Sequence, residues 1–505
     1  MTITSRLFLF FCLVLLQESS AQHIPDKSFA VRIQKQCASC IILNPDSTGE
    51  LTQAAANLKR LDIAVKGSIR ISRTDTAKLA AARLKYQQKI KDIREFTKDS
   101  ALIKFFENSK NTLDDGSVNT IPDLTGIEGF KNLNELDCSR NELTDLPALP
   151  ENLQILLCFE NKLTNINKLP NGLKKLDCSN NQLTQLLNLP AGLNDLDCGK
   201  NYLTALNISK LELERLDCSD NPIYNLPDLP KTLLKLVCNN TNLVTIPVLP
   251  NGLIELECAH NLLEKLPYLP DSLRELNCSF NRFAVLQNLP DHLERLSCTN
   301  NLLKALPLLN KTLSFLDASY NEELTNLPQL PLCLRRLLCN NCGFMTLPPL
   351  PPNLKELRVT DNHLIELPDL PVLLNELYCA GNQLIMLPDL NIKDSSLLKI
   401  PGFNPGLVYL DCSFNHLTVI KSLPPSLLEL KCAHNELRNL PNLPDNLMVL
   451  NCSFNPSLVC LPTLPNDLKD LHVAETLIKC LPNKPKSLVS IFWEIQLPIC
   501  IENCK

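Results

Sequence analysis

The chain has 505 residues and a formal net charge of −5, which is too small to indicate a class of partner by itself. Residues 23 to 118 hold 17 Lys and Arg against 11 Asp and Glu, so the rest of the chain is acidic, which disfavours nucleic acid as a partner. With one Trp, seven Tyr and a hydrophobic content of 45%, the core must be built from leucine rather than aromatic residues.

Residues 1–21 have the pattern of a secretory signal peptide. A positive region ends at Arg6, an apolar stretch runs from Leu7 to Leu16, and small residues end at Ala21. The apolar run is about half of the roughly 20 residues that a spanning helix needs. A lipid anchor on Cys12 is the alternative, which the two preceding phenylalanines disfavour. We therefore expect a soluble, exported protein without a transmembrane segment, either secreted, at the cell surface or in the periplasm.

Residues 22–120 form a second region, which lacks the repeat described below. Between Thr74 and Lys110, apolar residues recur at spacings of three and four, which predicts helix. We expect a small helical N-terminal cap over the open end of the core, because terminal repeats must cover apolar edges. A basic amphipathic helix for a membrane surface or another protein is the alternative.

Residues 121–493 contain about 17 to 18 repeats of twenty residues in the frame L-x-x-L-x-C-x-x-N-x-L. Ala318, Val359 and Val473 occupy the cysteine column in three repeats, and Phe492-Trp493 mark a degenerate last unit. The gap between Cys379 and Cys412 indicates an insertion near residues 391–403. The column cysteines are Cys138, Cys158, Cys178, Cys198, Cys218, Cys238, Cys258, Cys278, Cys298, Cys339, Cys379, Cys412, Cys432 and Cys452.

Each repeat predicts one short strand followed by an extended return path. The segment L-x-x-L-x-C alternates apolar and polar residues, so one face of the strand is buried, and strands one repeat apart pair in parallel. The asparagine three residues after each cysteine can bridge adjacent coils through its amide. Prolines in L-P-x-L-P exclude helix on the return side. We expect an α/β-type solenoid dominated by one curved parallel β-sheet, with an extended or polyproline convex side.

This repeat resembles the leucine-rich-repeat family, specifically its short bacterial subtype, which occurs in host-directed effectors. The resemblance implies protein recognition on the concave sheet without naming the partner. Some members carry a ubiquitin ligase with a catalytic C-x-D. Here Cys218-Ser219-Asp220 matches that string but lies inside the repeat frame, and the C-terminal tail, residues 494–505, is too short for such a domain.

The cysteines do not predict catalysis. The column points inward, where Ala and Val can replace Cys, so we expect buried free thiols rather than a metal or redox ladder. For Cys37 and Cys40, a local disulfide is favoured over a redox or zinc site. No catalytic, cofactor or metal site is predicted. One or two disulfides are expected within a C-terminal group of Cys460, Cys480, Cys500 and Cys504.

The exposed columns of the sheet are the predicted binding site for a protein or peptide. Exposed aromatic residues are common interface anchors. The alternative is that the acids keep a repeated surface soluble and the aromatics pack against the next turn. The predicted partner-binding residues are Asp137, Asp177, Asp197, Asp217, Glu257, Tyr320, Tyr378, Tyr409, Phe414 and Phe454, with Phe280 in the same exposed columns.

We therefore expect an exported, non-enzymatic protein that binds another protein through its concave sheet. A structural cell-surface or envelope protein is one alternative, and a host-directed effector scaffold acting with an enzyme partner is another. Catalysis would have to reside in residues 22–118. The sequence does not predict the oligomeric state.

Overall fold

The computed structural model describes residues 22–24, 41–43, 49–51, 60–62, 124, 127–129, 131–166, 168–390, 406–492 and 497–500. These belong to two compact units, Met1–Leu243 and Val244–Lys505. The predicted signal peptide, the predicted helix between Thr74 and Lys110, the C-x-x-C pair and the predicted insertion lie outside the described residues.

The first unit begins with three short strands that the sequence did not predict. They are β1 (Gln22–Ile24), β2 (Ile41–Leu43) and β3 (Gly49–Leu51), and they form an antiparallel sheet in the order β1-β3-β2. A single turn of 3-10 helix, Ile127–Gly129, precedes the repeats.

A parallel sheet makes up the rest of the first unit. Its strands pair in sequence order, and each central leucine lies beside the central leucine of the next strand. The strands are β4 (Arg60–Asp62), β5 (Glu135–Asp137), β6 (Ile155–Leu157), β7 (Lys175–Asp177), β8 (Asp195–Asp197), β9 (Arg215–Asp217) and β10 (Lys235–Val237).

The second unit repeats this architecture. Leu377 pairs with Leu410 across the longer gap, so the sheet continues in register past the insertion. The strands are β11 (Glu255–Glu257), β12 (Glu275–Asn277), β13 (Arg295–Ser297), β14 (Phe315–Asp317), β15 (Arg336–Leu338), β16 (Glu356–Arg358), β17 (Glu376–Tyr378), β18 (Tyr409–Asp411), β19 (Glu429–Lys431), β20 (Val449–Asn451), β21 (Asp470–His472) and β22 (Ser490–Phe492).

Each unit is therefore a parallel β-solenoid with one three-residue strand per coil, which confirms the predicted leucine-rich-repeat fold. The degenerate last repeat also forms a strand, because Ile491 pairs with Leu471. Within the described residues, the 3-10 turn is the only helix, in keeping with the prolines on the return path. In that part of the chain, no helix is long and apolar enough to cross a membrane.

The core consists of repeated leucine and cysteine columns. In the coil of β7, Leu173, Leu176 and Cys178 are completely buried, and the other coils place the same columns inside. Full burial of one such leucine contributes about 1.5–3 kcal/mol relative to exposure. The stability of each unit therefore accumulates coil by coil through contacts between neighbouring coils.

The asparagine column joins neighbouring coils, as the sequence predicted. Asn201 Nδ2 donates to the carbonyl oxygens of Cys178 and Cys198 at 3.0 and 3.1 Å. Asn201 Oδ1 accepts from the Leu183 amide of the preceding coil at 2.9 Å. The side chain thus satisfies buried backbone groups where the chain leaves the strand.

Candidate functional site

The exposed sheet face consists of the first and third residues of every strand. In β7, Lys175 and Asp177 flank the buried Leu176 and point away from the core. Because side chains alternate along a strand, the twenty-residue period arranges these positions in columns across the coils. Two further columns border this face: the residue after each core cysteine, which is small in most coils, and the residue that follows it.

The aspartate at the end of a strand has a local structural role. Asp177 Oδ1 accepts from the amide and the hydroxyl of Ser179 at 3.1 and 2.7 Å. Asn277 and Asn451 accept from the equivalent amides in their own coils, both at 3.2 Å. The turn therefore needs an oxygen but not a negative charge, so the charge of an aspartate here is additional to its local role.

Four aspartates of the first unit come together in an acidic cluster, defined as Asp177, Asp195, Asp197 and Asp217. Arg215 reaches three of them, with Nη1 3.4 Å from Asp195 Oδ1 and Nη2 3.9 and 3.8 Å from the Oδ2 atoms of Asp197 and Asp217. Lys175 Nζ lies 2.6 Å from Asp195 Oδ2. The four carboxylates of the cluster thus outnumber the two cations, Lys175 and Arg215, that contact them.

Three members of this cluster are predicted from the sequence, whereas Asp195, Lys175 and Arg215 are not. These three are first residues of their strands, and strand alternation alone places them on the same face as the third residues. The sequence signal that identifies them is therefore the alternation of buried and outward residues along each strand.

The fold opposes ionisation of two members of the acidic cluster, Asp177 and Asp197. Partial burial raises the pKa of Asp197 to about 6, with a further contribution from Asp217 and then Asp177. Burial also raises the pKa of Asp177, although the Ser179 hydrogen bonds act in the opposite direction. Removing water from a carboxylate disfavours its charged form, and neighbouring carboxylates add repulsion. At these two positions, an uncharged amide would therefore be more favourable for folding than an ionised carboxylate.

The other two predicted acids are placed differently. Asp137 is only 9% exposed, and its Oδ1 accepts from the amide and hydroxyl of Ser139 at 3.1 and 2.6 Å. Glu257 is half-buried at the end of β11 in the second unit. Asp137 thus offers little carboxylate surface to a partner.

Tyr378 and Tyr409 are half-buried on neighbouring strands, where their rings stack at 4.4 Å. The Tyr378 hydroxyl donates to Glu376 at 3.0 Å, and burial raises its pKa to about 12, helped by this hydrogen bond. Lys431 Nζ donates to the Tyr409 hydroxyl at 3.0 Å. Both tyrosine hydroxyls are therefore already engaged within the sheet face.

The remaining predicted aromatics lie on the turn column, two residues after each core position. Tyr320, Phe414 and Phe454 are 51%, 57% and 43% exposed. Their backbones have φ between 54° and 56°, in the left-handed region. His434, which is not among the predicted residues, lies between the rings of Phe414 and Phe454 at centroid distances of 4.1 Å. We call Phe414, His434 and Phe454 the aromatic ladder.

The fourteen column cysteines are buried and free, as the inward packing position predicts. Burial raises the pKa of Cys278 and of Cys452 to about 12, so these thiols are poor nucleophiles. Among the described residues, no three His, Cys, Asp or Glu side chains converge as metal ligands would. At the C-terminus, Cys480 and Cys500 form a disulfide, which confirms that the predicted group contains at least one.

Solved structures provide the comparison with known proteins, since no protein-family model and no curated protein matches the chain. YopM from Yersinia enterocolitica WA-314 is 32% identical, with a TM-score of 0.61, over 81% of this chain and 99% of that one. YopM from Yersinia pestis, a leucine-rich effector protein, is 27% identical over 82% and 98%, with a TM-score of 0.47. The functional domain of InlJ from Listeria monocytogenes, which includes a cysteine ladder, is 26% identical over 59% and 72%, with a TM-score of 0.44.

Proposed function

Because the chain belongs to the bacterial leucine-rich-repeat proteins with the short repeat of about twenty residues, we propose that it is exported and binds another protein through its exposed sheet face. The signal-like first 21 residues support export. A repeated, one-sided surface suits recognition better than catalysis, since solenoids present extended surfaces for binding.

The observation that carries this proposal is the charge of the acidic cluster. Asn277 and Asn451 provide the same turn oxygen without charge, yet Asp177, Asp197 and Asp217 retain a carboxylate on three successive coils. Since ionisation of Asp177 and of Asp197 opposes folding, a role for the charge outside the fold is supported. Attraction of a basic segment of a partner provides one, because complementary charge steers association and excludes wrong partners.

The test is affinity capture from the native source with the full chain and a charge-neutral variant. In Asp177→Asn/Asp197→Asn/Asp217→Asn, the turn acceptors remain and three charges are lost. We expect at least about tenfold weaker capture of the main co-purifying protein, since interfacial charge contacts typically contribute 2 kcal/mol or more in total. Reversal of the charges, in Asp177→Lys/Asp197→Lys/Asp217→Lys, should abolish capture.

The matched control removes three exposed acids of the same unit that lie outside the strands, in Glu151→Gln/Glu212→Gln/Asp228→Asn. This variant should capture as the wild type does. If all variants capture the same proteins in the same amounts, the acidic cluster is not the binding site. Failure of the wild type to enrich any protein would favour the alternative of a structural surface protein.

A further inference from the structure

A groove of about 450 Å³ crosses the C-terminal coils of the second unit. Its floor is the column of small residues that follows each core position, including Ser413, Ala433 and Ser453, which are each about 5–6% exposed. The aromatic ladder forms one wall. The last residues of β18 to β21, among them Asp411 and Asn451, form the other. The groove therefore has one apolar wall, one polar wall and a floor that a backbone can approach.

The residues of the aromatic ladder have an unfavourable, left-handed backbone conformation. Left-handed backbone is unfavourable by roughly 1–2 kcal/mol for an ordinary L-residue, and bulky side chains adopt it rarely. Some coils fill this column with residues that tolerate it, such as Asn180 and Gly381, while Phe280 has the same conformation and stacks on His260 at 4.0 Å. The strain is therefore common to several coils. Phe414 and Phe454 differ in that they line the groove, where about half of each side chain remains in water.

The width of the groove selects an extended occupant. The two walls are three residues apart along each coil, as with Asp411 and Phe414, so their Cα atoms lie at most about 10 Å apart. A helix with its side chains is about 10–12 Å across, whereas neighbouring extended strands need only about 4.8 Å. A single extended segment therefore fits between the walls and a helix does not.

The few charges of the groove lining favour an uncharged peptide segment. The lining holds one carboxylate, Asp411, and one lysine, Lys431, whose Nζ lies 2.8 Å from Glu429 Oε1, so it carries few charges. Asn451 uses Oδ1 for the Ser453 amide, which leaves its Nδ2 to donate to a ligand carbonyl. This balance differs from the acidic cluster of the first unit, which has an excess of negative charge.

We propose that this groove binds an extended, uncharged segment of a protein partner, with its apolar side chains on the aromatic ladder and its backbone along the polar wall. This inference rests on the proposed function, since the groove borders the exposed sheet face of the second unit. It assigns the groove a partner chemistry distinct from the basic segment expected at the acidic cluster.

The probe is a random peptide display library selected on the full chain. We expect enriched peptides to be poor in Asp, Glu, Lys and Arg and to alternate apolar with polar residues. Their affinity should fall at least about tenfold in Phe414→Asn/Phe454→Asn, since loss of buried aromatic anchors typically costs 2 kcal/mol or more. Asparagine occupies this column in other coils, so the backbone is preserved.

The control is Tyr224→Asn/Tyr268→Asn, which removes two exposed aromatics that lie outside the groove and outside the predicted binding residues. It should bind within about twofold of the wild type. A second groove variant, Ala433→Gln, fills the floor without altering the ladder and should also lose binding. Absence of enrichment, enrichment of charged peptides, or equal binding by the groove variants would each overturn the proposal.

These outcomes are separable from the affinity capture. Peptide binding that depends on the groove, together with capture unaffected by Asp177, Asp197 and Asp217, would refute the acidic cluster alone. Capture that depends on those aspartates, without groove-dependent peptides, would refute the groove alone.

Discussion

At the level of single residues, the aspartate that ends a strand combines a local bond with a surface charge. One oxygen of Asp197 accepts from the Gly199 amide at 3.2 Å, and the other faces Arg215 at 3.9 Å. The first contact requires only an acceptor, while the second requires the negative charge. Partial burial makes that charge unfavourable for the fold, so its effect on stability must depend on pH.

Replacing Asp197 by asparagine should stabilise the protein near neutral pH. The folded-state pKa of Asp197 is about 6, above the value of about 3.9 for an unfolded chain, so its ionised form destabilises the fold above pH 6. As the pH falls from about 6 to about 4, the folded state takes up a proton that the unfolded state does not, and the penalty disappears. After allowance for solvent screening, we expect a gain of about 1 kcal/mol at neutral pH that vanishes near pH 4.

The measurement is urea denaturation of wild type and Asp197→Asn at both pH values. Asp228→Asn, an exposed acid outside the strands, is the control and should change neither midpoint. An equal advantage of Asp197→Asn at both pH values would contradict the assignment, because the gain would then not arise from ionisation.

At the level of the coil, hydrogen bonding by the asparagine column complements leucine packing. A three-residue strand offers little ladder pairing of its own, so the groups where the chain turns depend on side chains from the same and the next coil. Thr241 maintains one such bond by donating to the Cys238 carbonyl at 2.9 Å. Thr476 does the same for the Val473 carbonyl at 2.8 Å. The column therefore tolerates other donors, but a hydroxyl has one proton to donate, whereas the asparagine amide has two and can bridge the carbonyls of two coils.

Removal of one column amide should weaken two adjacent coils. Asn201→Ala leaves the buried amide of Leu183 without its acceptor. The carbonyls of Cys178 and Cys198 each lose one of two asparagine donors and keep the other, from Asn181 and Asn221. One unsatisfied buried group costs about 1–3 kcal/mol, so we expect a loss of about that size. Hydrogen exchange should accelerate at the Leu183 amide. Gln182→Ala, an exposed neighbour, should stay within about 0.5 kcal/mol of wild type. Unchanged protection of Leu183 would argue against a bridging role for the amide.

At the level of the whole molecule, each unit is a stack in which coils contact their neighbours, so stability is a property of groups of coils. Reaction of the buried thiols can follow the unfolding of these groups, because each column cysteine belongs to one coil. The C-terminal coil has a covalent tie as well: Cys480 and Cys500 are joined, and Leu481 bridges Ile499 in parallel. Such a cross-link restricts fraying at that end.

Thiol labelling should therefore map unfolding along the chain. Among the free cysteines that the structure describes, Cys333 is exposed, and the column cysteines and Cys342 are buried. Iodoacetamide should modify Cys333 in the native protein, while the column cysteines react only as urea unfolds their coils, in contiguous groups. Mass spectrometry of the labelled peptides provides the measurement, with Cys333→Ser as control. Rapid native labelling of Cys198 or Cys278 would contradict the packing assignment.

The sequence by itself determined the architecture of the repeats. A period of two within L-x-x-L-x-C decides which side chains are buried, and a period of twenty aligns each strand with the next. The inward cysteines and the bridging amides, such as Asn201, follow from these local patterns, because every coil repeats the same environment.

Only the tertiary structure decided what the exposed positions do. Asp137 and Asp177 share one column, yet the first is buried, while the second joins a cluster with Arg215. The stacking of Phe414 on His434 likewise joins residues of unlike type on neighbouring coils. Exposed side chains differ from coil to coil, so their burial, pairing and pKa depend on neighbours about twenty residues away, which no pattern within a single repeat contains.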